Sequence, residues 1–390
     1  MQANRRKFIR QSIVTAASLS AVAIPGDLMA KSFRERSRPV QIRSNINAVS
    51  KPKEHIRFSV IGLNHGHIYG QVAALLGGGG EIVSVYAKEQ DLLNAFTRRY
   101  PQVKVAKSEE EILEDNTIQL IASASIPVER APLGVRVMQH GKDYMADKPG
   151  ITTIDQLNEV KRVQKETGRI YSIMYSERFG NPATVKAGEL VHSGAIGKVI
   201  QTIGMGPHRM RINTRPDWFF DPVKFGGILT DIGSHQCDQF LFFTGSTAAE
   251  VLSSQIGNVN NQQYPGFEDF GDMHVRGNKG TGYIRIDWFT PDGLNTWGDG
   301  RLTILGTEGY IELRKYTDIG GRDGGNHLFL VDQKETKYID CSEVPLPYGQ
   351  QLVSDVVNRT ETAMTQDHCF LATELALKAQ KQAMRLMLNN

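Results

Sequence analysis

"VIGLNHGHIYG", Val60 to Gly70, closes a short β-branched run that begins at Ile56 and opens a stretch of helical periodicity. A strand that ends in glycine and turns at once into a helix is how a βαβ unit starts. The G-x-G-x-x-G spacing of a dinucleotide phosphate loop falls here on Gly62, Asn64 and His67, so Asn and His stand at two glycine positions. Gly62 supplies the tight turn, and Asn is among the non-glycine residues that best tolerate a left-handed backbone. Backbone N–H groups at a helix N-terminus attract a diphosphate whatever side chains flank them. On this stretch alone, a phosphate loop and a plain strand-to-helix turn are both open.

The rhythm continues outward. "EIVSVYA", "TIQLIAS", "KDYMAD" and "RIYSIMY" read as strands, with helices between them that run through Tyr100, His140 and Thr167. Such alternation predicts a parallel, doubly wound, Rossmann-like sheet over residues 55–180. Past Phe179 the pattern changes to one long helix near 226–244 followed by bunched strands, from "EVLSSQIG" to "LFLVD". That order predicts an α+β domain over 181–365 with a largely antiparallel open sheet. Helical periodicity returns from Tyr348 to Met387, and a C-terminal helix over 366–390 is expected to pack back on the first domain.

The leading residues differ from the body. "NRRKFIRQ", Asn4 to Gln11, precedes the mildly apolar "SIVTAASLSAVAI", which ends before Pro25 and Ala30. Paired arginines, a short apolar segment and a small residue predict a twin-arginine export signal over 1–30 and a periplasmic or otherwise exported protein. Residues 31–54 are polar and basic, with Pro39 and Pro52, and read as a disordered linker. The chain's formal net charge of +3 resides in these first 54 residues, and the body from His55 onward is net acidic. The basic balance therefore gives no reason to expect a nucleic-acid partner. No apolar run approaches the roughly 20 residues that span a bilayer, so no integral membrane segment is expected. Cys237, Cys341 and Cys369 have no C-x-x-C or zinc-ligand spacing and are expected to be buried thiols.

Three further stretches carry chemistry. At the end of the second strand, Ala87 stands where an acid usually takes the ribose hydroxyls; Glu89 can substitute, while Lys88 could favour a 2′-phosphate. "GKDYMADKPG" ends a strand in Asp147, Lys148 and Pro149, which places an ammonium at the ligand-binding edge of an open sheet, or on a surface turn. In "GGILTDIGSHQCDQFLFFTG", Asp231, His235 and Asp238 fall at i, i+4 and i+7 of one helix face. An aspartate one turn before a histidine can orient the imidazole and favour its protonated form, a gain in basicity that suits a general base working near neutral pH; an acidic helix start near a structural histidine is the plainer alternative.

Together these motifs resemble the Gfo/Idh/MocA family of nicotinamide-dependent oxidoreductases of sugars and cyclitols, from Ile56 to about Met387. The family's E-K-P appears as Asp147-Lys148-Pro149, and its G-G-x-x-x-D-x-G-x-H-x-x-D helix runs intact from Gly226 to Asp238. "SERF" at 176–179 matches the strand-end arginine motif, and "RPDWFFDP" at 215–222 looks like the substrate loop. The resemblance implies that Lys148 positions nicotinamide and substrate, and that His235, set by Asp231, removes a hydroxyl proton as hydride leaves carbon. It implies a cofactor site at Gly62, Asn64, His65, Gly66, His67, Glu89 and Lys148, with NAD favoured over NADP. It implies a sugar pocket of Arg178, Asp217, Trp218, His235 and Asp238, and a homo-oligomer paired through the second sheet.

His65 and His67 alternate in the loop with no acid nearby in sequence, so no metal site is expected, and a sugar-hydroxyl contact fits them better. "PHRMRINTR" at 207–215 reads either as a basic lip for an anionic sugar or as a solvated loop. Export and a nicotinamide cofactor fit together if folded protein leaves the cytoplasm with its cofactor already bound. The expected chemistry is then redox-neutral over a full cycle, by paired oxidation and reduction of two sugars or through a transient ketone that permits glycoside cleavage or epimerisation, with a cofactor-free periplasmic carbohydrate-binding protein as the other alternative.

Overall fold

The computed structural model describes residues 52–386; the expected leader at 1–30 and nearly all of the expected linker at 31–54 lie outside the described residues. Six parallel strands form the first sheet: β1 (Ile56–Ile61), β2 (Gly80–Tyr86), β3 (Lys104–Val105), β4 (Leu120–Ser123), β5 (Asp143–Asp147) and β6 (Tyr171–Met174). Their order is β3-β2-β1-β4-β5-β6, the doubly wound order of a Rossmann fold, whose switch point lies between β1 and β4. Burial explains the composition. Phe58, Val60, Leu120, Ile121, Tyr144 and Met145 are wholly covered because helices lie on both faces of such a sheet.

The helices form where the sequence places their signals. Ile154–Thr167 starts at Thr153, whose side chain accepts from the Gln156 amide, and stops at Gly168 in the left-handed region. Its Leu157, Val160 and Val163 recur on one face and are buried.

The second sheet is larger and mixed. It comprises β7 (Val199–Pro207), β8 (Ala249–Gly257), β9 (Phe270–Gly277), β10 (Thr281–Asp287), β11 (Arg301–Gly306), β12 (Gly309–Arg314), β13 (His327–Asp332), β14 (Thr336–Asp340) and β15 (Met384–Arg385). The order is β14-β13-β12-β11-β7-β10-β9-β8-β15; β7 with β10 and β8 with β15 pair parallel, and the other pairs are antiparallel. Strand β7 holds the middle of this sheet, yet the sequence pattern does not announce it. Its Gly204 and Gly206 weaken strand propensity. They let the helix Gly233–Thr244 lie close over β7: a Cβ on Gly204 would come 2.4 Å from Gln236 Oε1, and that side chain would have to shift.

The single helix expected near 226–244 is two, Ile228–Asp231 and Gly233–Thr244, with a separate helical turn, Pro222–Phe225, before them. The chain returns to the first sheet sooner than residue 366. The helix Tyr348–Asn358 packs on β1 and on the helix Ile68–Gly77, while Gln366–Gln382 lies mainly against Gly233–Thr244 and β8 and also touches β6. Gln366 accepts from the Tyr171 amide, and Thr373 bonds the Tyr175 hydroxyl, so that helix straddles both sheets. No helix among the described residues is long and apolar enough to cross a membrane.

Candidate active site

The turn after β1 is built as a phosphate loop. Gly62 has φ +84°, and a Cβ there would come 2.5 Å from Ser125 Cβ at the end of β4. Its amide donates to Tyr86, and the His65 amide donates to Ala124, which ties the loop across the switch point between β1 and β4. Asn64 Nδ2 donates to Glu89 Oε1 at 2.7 Å. Those two residues, with Gly62, Ala87, Lys88 and Arg136, line a cavity of about 290 Å³ at the carboxyl ends of β1 and β2. An open cradle with no Cβ at its turn fits a dinucleotide. Gly62, Asn64 and Glu89 are the residues that would hold the adenosine half.

His65 and His67 face elsewhere. Both line a second cavity of about 360 Å³ that Lys148, Asp231 and Trp218 share. Beneath them lies Asp147, 1% exposed. Its Oδ2 meets His65 Nδ1 at 2.8 Å and Arg130 Nη2 at 3.1 Å; its Oδ1 meets His67 Nδ1 at 2.9 Å and the Lys148 amide at 2.7 Å. Burial opposes ionisation of this carboxyl, but His67, Arg130 and His65 hold it well below the usual carboxylate range. With both Nδ1 atoms engaged, each imidazole is left with Nε2 for other partners. Burial and the neighbouring His67 push His65 down to about 4, against the pull of Asp147.

The ligand atoms of His65, His67 and Asp147 lie within 4.8 Å of one another, a spacing able to hold a metal ion. The sequence offered no acid for these histidines, and the fold supplies one from 80 residues away. Yet all four bonding directions of the Asp147 carboxylate are already taken by nitrogen donors, one of them a guanidinium.

Lys148 and Asp231 meet across the two sheets at 2.8 Å, Nζ to Oδ1, and both are buried. Burial again opposes the charge on Asp231, and Lys148 overcomes it, leaving that carboxyl lowered. This corrects the expectation that Asp231 orients His235: the carboxylate is committed to Lys148. His235 is 1% exposed, its Nδ1 has no hydrogen-bond partner, and it is not among the residues lining the cavity. Burial, reinforced by Lys148 and opposed by Glu177, pushes its imidazole down to about 3. The environment favours a neutral ring, not the protonated form expected from sequence.

Arg178 and Asp238 are also placed differently from expectation. They form a buried two-pronged ion pair, both contacts at 2.7 Å, and His368 adds a third bond to Asp238 at 2.8 Å. Neither lines the cavity. Asp238 lies on the helix Gly233–Thr244 and Asp231 at the end of the preceding helix Ile228–Asp231, and at about 1.5 Å per helical residue seven residues amount to about 10 Å, enough to reach a different environment. Trp218 does line the cavity, whereas Asp217 is exposed and outside its lining.

Further residues shape the site, some from stretches that the sequence already singles out. Arg130, 1% exposed, donates to the carbonyls of Ser125, Lys148 and Pro149 as well as to Asp147, clamping the ends of β4 and β5 together. Glu177, within the "SERF" motif, accepts from Lys315 and Gln236 at 2.8 Å each. Against the effect of burial, Lys315 and His235 bring its carboxyl down to about 2. Arg209, Arg211 and Arg215 border the cavity with Trp288 and Trp297.

Residues 56–175 match the family profile "Oxidoreductase family, NAD-binding Rossmann fold", and residues 184–312 match "GFO/IDH/MocA C-terminal domain". The chain belongs to the GFO/IDH/MocA oxidoreductase family. A crystal structure of an oxidoreductase from Erwinia carotovora atroseptica is 47% identical, with a TM-score of 0.83 over 85% of this chain and 100% of that one. The scyllo-inositol 2-dehydrogenase (NADP(+)) of Bacillus subtilis is 28% identical over 46% of this chain and 50% of that protein, so the chain spans about half the length of that relative. The aldose-aldose oxidoreductase of Caulobacter crescentus shares the fold, with a TM-score of 0.67 at 16% identity over 84% of this chain and 98% of that one. An oxidoreductase fold with a nicotinamide-binding domain thus agrees with the resemblance read from the motifs.

Proposed function

We propose that this protein is a nicotinamide-dependent oxidoreductase acting on a hydroxyl of a sugar or cyclitol, with Lys148, Asp231 and His235 as its proton-handling group. The observation that carries this reading is the 2.8 Å contact between Lys148, at the end of β5, and Asp231, from the second domain's helix, bordering one cavity. When bound, the cofactor supplies the acceptor for hydride. The chain's part is to hold the hydroxyl and remove its proton. Lys148, fixed by Asp231, presents its ammonium to the hydroxyl oxygen and favours the developing alkoxide. His235, the base that the resemblance implies, is held neutral by burial and lies outside the cavity lining, so Lys148 is the group that meets the hydroxyl.

Retention of NAD, or less favourably NADP, follows from the expected export: a folded protein carried out by the twin-arginine translocase takes its cofactor with it. The cycle is then redox-neutral, pairing two sugars or passing through a transient ketone. The exposed Ile203, Leu305 and Tyr310 on the second sheet suit pairing with a second copy. Mass spectrometry of small molecules released on denaturing the purified full chain tests the core of the reading. A stoichiometric nicotinamide dinucleotide is expected. Its absence, together with no uptake of added NAD or NADP, overturns the proposal.

A further inference from the structure

Of the sixteen residues that line the larger cavity, one is a carboxylate, Asp231, and five are permanent cations. Lys148 is neutralised by Asp231, and Arg130 by Asp147. Arg209 is held by the carbonyls of Pro291 and Leu294 and by Asp292 at 3.5 Å. Two arginines remain. Arg215 is half-buried, lies 4.6 Å over the Phe219 ring and 4.8 Å over Trp288, and donates to the carbonyls of Met210 and Arg209. Among the described residues it has no carboxylate partner. Arg211 is exposed, has φ +47°, and its side chain makes no hydrogen bond or ion pair among the described residues.

A half-buried guanidinium without a counter-charge is costly, and the fold keeps one beside a second, unpaired one at the same cavity wall. The cofactor does not account for them. The cavity lined by Gly62, Asn64 and Glu89 belongs to the first sheet and includes neither arginine. Both come from the segment that follows β7, opposite in sequence and sheet to the phosphate loop, and they sit among Trp218, Trp288 and Trp297, whose flat faces suit a sugar ring.

We propose that the substrate is an anionic sugar, whose oxyanion is held by Arg211 and Arg215 while its reacting hydroxyl meets Lys148. Guanidinium recognises a planar carboxylate or a phosphate through paired N–H donors, so a uronate and a sugar phosphate share the required chemistry. This rests on the oxidoreductase reading in taking the cavity as the substrate site, but equilibrium binding reads it independently of turnover.

The test is calorimetry on the purified full chain with matched probes: glucuronate, glucose 6-phosphate and glucose, then the corresponding galactose and mannose sets. In at least one set a charged sugar should bind about tenfold or more tightly than the neutral one, as expected for a charge-assisted pair. Whether uronate or phosphate leads identifies the oxyanion. Arg211→Ala, at an exposed position that leaves folding intact, should cut the preference severalfold without changing affinity for the neutral sugar, and Arg215→Lys should lose less than Arg215→Gln. Equal or tighter binding of the neutral sugar in every set overturns the proposal. So does an unchanged preference in both Arg211→Ala and Arg215→Gln, or no binding of any charged probe at millimolar concentration. Absence of a retained nicotinamide, by contrast, strikes the oxidoreductase reading and leaves the binding ratios interpretable.

Discussion

Replacing His235 by Asn should flatten the acid side of the protein's stability profile. His235 is 1% exposed, and burial pushes its imidazole from an ordinary 6.5 to about 3. In the unfolded chain the same ring titrates near its ordinary value. As the pH falls from about 8 to about 4.5, the unfolded state gains a proton that the folded state refuses, so this group's share of the stability is present above 6.5 and lost on acidification. Two pH units below 6.5, at 1.36 kcal/mol each, make that loss about 2.7 kcal/mol. Asparagine does not titrate. The stability advantage of the native protein over His235→Asn must therefore narrow by about 2.7 kcal/mol across that interval, whatever fixed cost the substitution carries. Urea denaturation of both proteins at a series of pH values reads the difference, and groups common to both cancel. A difference constant to within about 0.5 kcal/mol would refute the claim that the fold holds this imidazole neutral.

Two further outcomes follow from the loop and its support. Asp147→Asn leaves the buried Arg130 guanidinium without its counter-charge, which should cost about 3–5 kcal/mol in urea unfolding; a loss below about 1 kcal/mol would show that the carboxylate is not the hub of that network. Gly62→Ala brings a Cβ to 2.5 Å from Ser125 at φ +84°, so it should lower stability by about 2 kcal/mol or more and weaken dinucleotide binding, read by calorimetry; unchanged binding would remove the turn from the cofactor site.

Whatever depends on neighbours along the chain is legible in the amino-acid sequence alone. Alternating strand and helix periods specify the parallel sheet, because each element's buried face is set by residues two or four apart. Gly62 marks its turn because only glycine combines that backbone angle with the approach of Ser125. Lys148 and the Asp231–His235 register are legible for the same reason: a strand end and a helix turn are local facts. Even there the partners were misread, since sequence spacing shows which side chains share a face but not what stands opposite. Asp231 took Lys148 instead of His235, and Asp238 took Arg178 and His368.

Tertiary structure decided everything that joins distant residues. Strand β7 is invisible in its own pattern because its glycines answer to a helix crossing it. Asp147 and the loop histidines are about 80 residues apart, and Glu177 and Lys315 are 138 apart. The sequence leaves Arg211 and Arg215 open between a basic lip and a solvated loop; the fold sets them at one cavity with Trp218 of their own loop and with Trp288 and Trp297 from beyond β10. The physical reason is the same in each case: burial raises the cost of an unpaired charge, and only the folded chain determines which charges are buried together.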